Sequence, residues 1–147
     1  MLKSYRFWLW LAVVVLFLNA LIHSVTLFLQ PPPVDETERQ LFELMASYKH
    51  NFGAGFKRSM NELVTALSSC LSFLCLLAGV TLMFLLGKRA EAGLMKGVVL
   101  IHTVVFGILF VVVVVFTFLP PIVLTGLIFV SLLAACILVF RQPETSS

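Results

Sequence analysis

Val98–Phe140 reads VVLIHTVVFGILFVVVVVFTFLPPIVLTGLIFVSLLAACILVF and carries no Asp, Glu, Lys or Arg. Two apolar runs, about 97–119 and 122–140, meet there at Pro120–Pro121. Each has the length of a bilayer crossing, because about 20 helical residues span a hydrocarbon core of roughly 30 Å. Proline stops one helix and suits the first turn of the next, so the pair reads as a tight antiparallel hairpin of transmembrane helices. Outward from it, runs at about 7–29 and 61–86 have the same character. The expected fold class is all-α: a four-helix transmembrane bundle forming a single membrane domain over residues 1–147.

Composition agrees. At 61% hydrophobic and 12% charged residues, the chain is not an ordinary soluble domain. Its net charge of +3 is small, and the basic residues fall at helix ends, where they meet headgroups, so no nucleic-acid surface is expected. Lys3 and Arg6 ahead of an apolar stretch resemble a secretory signal. That stretch is long for such a signal and lacks a clean small-x-small site in Leu18–Ser24, which favours a retained span. Cys70 and Cys75 are five apart and form no C-x-x-C pair; with Cys136 they read as small packing residues inside spans.

Four crossings put both termini on one side. That side holds Lys3, Arg6, Lys88, Arg89, Lys96 and Arg141; the other holds Arg39, Lys49, Lys57 and Arg58. Cytoplasmic loops are enriched in Lys and Arg, so the termini are expected in the cytoplasm. Trp8 and Trp10 fit an aromatic anchor at the inner interface. The expected location is within a membrane that borders the cytoplasm.

The loop between the first two spans is long enough to carry structure. Pro31–Pro33 make a stiff exit. Acids at Asp35, Glu36 and Glu38 suit a helix start, and Leu41, Phe42, Leu44, Met45 and Tyr48 come after with helical spacing. The expectation is a short amphipathic helix at about 35–49, broken by Gly53 and Gly55. Gly93-x-x-x-Gly97 has the spacing of a close-packing motif and equally that of a flexible loop.

The functional signal lies in polar residues within the spans. Asn19, His23 and Thr26 share one helix face, as do Glu62, Thr65 and Ser69, with Asn61 beside them. Polar groups in hydrocarbon are costly unless paired, so both stripes should face the bundle interior. Depth matching sets Glu62 near Thr26, and His23 near Thr65 and Ser69. The result is a candidate polar pocket of Asn19, His23, Thr26, Asn61, Glu62, Thr65 and Ser69, with Tyr48, His50 and Arg58 as lid residues. It could be structural bonding, or a site for a lipid- or quinone-like molecule. A metal site from His23, His50 and Glu62 lacks any ligand spacing, so no metal and no cofactor is expected. His102, near the other end of its span, reads as a packing group.

A first span ending in His23–Ser24, the Pro-rich exit, the segment Leu41–Tyr48, and Gly53-x-Gly55-x-x-Arg58-Ser59 opening a second span with Ser72 and Gly79 together form a pattern. It resembles an uncharacterised family of small four-helix bacterial integral membrane proteins. The resemblance implies this architecture and supplies no activity; a likeness to DoxX-type proteins is at fold level only. The expectation leans to a non-enzymatic accessory or structural component, partnered by membrane lipid and by a further copy or a larger membrane complex. The alternative is a protein or enzyme that binds a lipid- or quinone-like molecule.

Overall fold

A computed structural model describes residues 4–29 and 32–142. The element order is α1 (Tyr5–Thr26), α2 (Glu36–Ser47), β1 (Lys49–Asn51), β2 (Lys57–Ser59), α3 (Met60–Gly87), α4 (Ala92–Phe116) and α5 (Leu119–Phe140). The chain is all-α apart from one small hairpin. Among the described residues, four helices (α1, α3, α4 and α5) are long and apolar enough to cross a membrane. This is an integral membrane protein.

The helix ends differ from the expected ones for local reasons. The fourth crossing begins at Leu119, not near 122, because Pro120 and Pro121 occupy its first turn, where a missing N–H costs nothing. The third ends at Phe116, where the Thr117 amide and hydroxyl both donate to the Val113 carbonyl. The same helix starts at Ala92, five residues earlier than the expected 97. Gly93 and Gly97 are therefore helical, and nothing lies within 4 Å of a Cβ built on either. They are not in a loop, and within the chain neither packs closely against another helix. Between α3 and α4, Arg89 takes a left-handed φ of 52°, with Ala90 N–H donating to Leu85 and Arg89 N–H to Leu86. That is a Schellman stop with Arg where Gly is usual.

By compactness the chain divides into two units, Met1–Asn19 with Cys75–Ser147, and Ala20–Leu74. In the first, the start of α1 meets the end of α3. A Cβ on Gly79 would sit 3.5 Å from Leu16 and from the Phe17 ring. The Arg6 guanidinium donates to the Leu86 carbonyl at 3.3 Å. In the α4–α5 hairpin two glycines face two rings. Gly107 faces Phe129 and Gly126 faces Phe110, and the rings stack with centroids 5.8 Å apart. Leu9, Leu16, Leu82, Met95, Val99, Phe106, Ile128 and Leu132 are buried in this unit.

The second unit holds α2, the hairpin and the start of α3. The Asp35 carboxylate caps α2 by accepting from the Glu38 amide at 2.8 Å. The helix stops at Ser47, short of the expected 49, because Tyr48 is extended. Beyond Tyr48 the chain turns into an antiparallel ribbon, in which Lys49 pairs with Ser59, His50 with Arg58 and Asn51 with Lys57. Its tip needs three successive positive φ angles, at Gly53 (84°), Ala54 (49°) and Gly55 (84°). Glycine supplies two of them without steric cost.

Candidate functional site

The start of α3 organises the second unit. Ser59, the last residue of β2 and the one just ahead of α3, is buried, at 3% exposure. The Ser59 amide donates to the Glu62 carboxylate at 2.7 Å, and the Glu62 amide donates to the Ser59 hydroxyl at 3.3 Å. This is a capping box, in which two of the amides left over at a helix start are satisfied reciprocally. Ser59-Met60-Asn61-Glu62 ahead of an apolar run is its sequence signature, and reading Glu62 only as part of a polar stripe passes over it.

The expected pocket residues divide among several places. Arg58, Asn61, Glu62 and Thr65, with Leu63 and Ala66, line one open depression of about 550 Å³. Glu62 and Thr65 are exposed in the single chain, and Asn61 is half-buried. The Arg58 guanidinium donates to the Lys57 carbonyl at 3.1 Å. Ser69 lies a turn further on, and its hydroxyl donates to the Thr65 carbonyl at 2.8 Å. His50 lines a separate, apolar depression of about 330 Å³ with Leu44, Met45, Tyr48 and Met60, its ring edge-on to Tyr48 at 4.7 Å. His23 is half-buried near the end of α1. The side chain of Thr26 lies outside the described residues.

Asn19 belongs to the first unit, together with Cys75. It is fully buried, and its Nδ2 donates to the Cys75 thiol sulfur at 3.3 Å. Its Oδ1 finds no hydrogen-bond partner among the described residues. The orphaned oxygen is buried within the first unit.

Most span hydroxyls satisfy themselves. Ser24 donates to the Ala20 carbonyl, Ser72 to Ser68, Thr81 to Leu77, Thr103 to Val99, Thr125 to Pro121 and Ser131 to Leu127. The His102 ring contacts the Val98 carbonyl in the same way, with Nδ1 at 2.8 Å. A hydroxyl bonded to its own helix four residues back needs no partner across the membrane. Among the described residues no three His, Cys, Asp or Glu gather to hold a metal ion. What the cluster at Arg58–Thr65 offers is an anion contact, a carboxylate committed to its helix start, and two neutral polar groups.

Comparison of the chain with protein-family models, curated proteins and solved structures finds no match.

Proposed function

We propose that this protein is a non-enzymatic accessory or structural component of its membrane, associating with a further copy of itself or with a larger membrane complex. The observation that carries this reading is the polar face on the first turns of α3. Asn61, Glu62 and Thr65 lie there on a helix of membrane-crossing length, with Glu62 and Thr65 exposed in the single chain. Such a face is poorly matched to lipid where the helix enters the acyl chains beside Thr65, and favourable against another helix, where small polar residues allow close approach and bond across. The reading includes a bacterial inner membrane with both termini cytoplasmic, supported by Lys88 and Arg89 between α3 and α4 and by Lys96 near the start of α4.

Oxidative crosslinking in native membranes tests it. Thr65→Cys should give a crosslinked dimer or heavier complex several-fold above the wild type, whose exposed Cys70 sets the background. Val111→Cys, on an exposed apolar face of α4, should not. Absence of any product above the wild type contradicts the reading.

A second reading is favoured by one observation: Arg58, Asn61, Glu62 and Thr65 line the same depression. It is a small-molecule site for a lipid- or quinone-like molecule with an anionic or carbonyl head on Arg58. Native mass spectrometry of the detergent-extracted protein would then find a bound molecule that Arg58→Gln releases. Equal occupancy in the variant contradicts it.

A further inference from the structure

The hairpin of β1 and β2 divides its side chains by face. Alternation along the strands sets Tyr48, His50 and Phe52 on one side, with Arg58 opposite His50 and Phe56 closing the tip against Phe52. The rings confirm it: His50 lies 4.7 Å from Tyr48 and 6.2 Å from Phe52. Lys49, Asn51 and Lys57 occupy the other side. Phe52 and Phe56 are each 60% exposed at the outermost point of the ribbon. Two phenyl rings thrust into water are unfavourable, and the depression that α2 and Met60 form beside the ribbon takes in Tyr48 and His50 at its root but neither Phe52 nor Phe56.

Charge and position say what covers them. Residues 48–59 contain Lys49, Lys57 and Arg58 and no acid. Glu62 acts electrostatically on Lys49 and Arg58, but among the described residues none of these three cations is in an ion pair. Even counting Glu62, the patch is net positive. Ser59 leads directly into α3, whose 28 residues measure about 42 Å, longer than a hydrocarbon core of roughly 30 Å. The ribbon root therefore stands at headgroup level. Its tip, at most five residues from Ser59, reaches only about 17 Å from that point.

We propose that the hairpin is a lipid-surface anchor, lying on an anionic phospholipid leaflet with Phe52 and Phe56 at the headgroup–acyl boundary and Lys49, Lys57 and Arg58 on lipid phosphates. Aromatic rings favour that boundary, and a guanidinium matches a phosphate in two-pronged fashion. The lysines are neighbours of the same phosphates because the ribbon is only two strands wide, and their stems can reach round its edge. This goes beyond the association reading, which concerns the face of α3 within the membrane.

The full chain carrying Ala54→Cys tests it, since Ala54 already holds its left-handed φ with a Cβ. The protein is reconstituted into vesicles of neutral phosphatidylcholine, or of phosphatidylcholine with phosphatidylglycerol. Labelling by an uncharged polymer-linked maleimide is followed, with wild type as blank, Ser47→Cys on the polar side of α2 as reference, and detergent as full exposure. Each net basic residue at an anionic leaflet shifts such a partition about fivefold, so labelling at 54 should slow by roughly tenfold or more in the anionic vesicles. In the combined Lys49→Gln, Lys57→Gln and Arg58→Gln variant the two lipids should give equal rates. Equal rates for the parent, or slowing that survives the triple substitution, overturns the proposal. Protection that is independent of lipid charge and rises with protein density assigns the face to a second copy and overturns it too.

Discussion

Ser59 and Glu62 bond each other across the first turn of α3, each side chain accepting from the other's backbone amide. The pair commits the carboxylate at the membrane edge to holding a helix start. A capping residue contributes about 0.5–2 kcal/mol. Ser59→Ala should therefore speed hydrogen exchange at the Glu62 amide by roughly 2- to 30-fold, and Glu62→Gln less, because an amide oxygen can still accept. Unchanged exchange in Ser59→Ala would show that the box contributes nothing.

The membrane architecture is legible in the sequence because hydrocarbon demands long uninterrupted apolar helices, and 97–140 contains little else. Helix ends are less so. Pro120 reads as a stop between helices, although its position inside a first turn is available from the same rule. The hairpin at 49–59 escapes a sequence reading because three-residue strands leave no alternation long enough to notice; the spacing of Gly53 and Gly55 is its only trace. For the candidate site, helical spacing puts Asn61, Glu62 and Thr65 on one stretch, and they line one depression. It does not show that Glu62 has a nearer engagement with Ser59, nor that Asn19 bonds Cys75, 56 residues away.

Gly107 and Gly126 are expected to behave unlike Gly97. A methyl on Gly107 would fall 2.9 Å from the Phe129 ring, and one on Gly126 would fall 3.1 Å from Phe110. Overpacking costs about 1–3 kcal/mol, against about 1 kcal/mol that alanine gains over glycine in a helix. Unfolding in detergent micelles should show Gly107→Ala destabilised by up to about 2 kcal/mol. Gly126→Ala should be near neutral, and Gly97→Ala, in open space, slightly stabilised. The reverse order would contradict the packing of α4 on α5.

Asn19→Leu should leave stability unchanged within about 1 kcal/mol or raise it, because it removes a buried oxygen that has no partner among the described residues and gives up one weak bond to sulfur. The same unfolding assay reads it. A loss above about 2 kcal/mol would mean that Oδ1 holds a partner in the membrane.

The exposed helix α2 should respond to acid. Arg39 and then Gln40 hydrogen-bond the Glu36 carboxyl and hold it below the usual glutamate range. A depressed folded value contributes stability above the unfolded value, and that contribution disappears as pH falls through the folded one. Helical chemical shifts over 36–47 should therefore weaken on acidification past the ordinary carboxylate range, and the effect should shrink in high salt. Arg39→Gln should reduce the dependence, leaving the part that Gln40 and the Asp35 cap supply; an undiminished dependence would assign it elsewhere.

Everything rests on the chain crossing the bilayer four times, at α1, α3, α4 and α5. Single-cysteine sidedness mapping in sealed membranes addresses this directly, with an impermeant thiol reagent at positions 4, 54, 90, 118 and 142. Positions 4, 90 and 142 should label from one side, and 54 and 118 from the other. Labelling of 54 and 90 from the same face would remove α3 as a crossing, and the four-crossing architecture would fall with it.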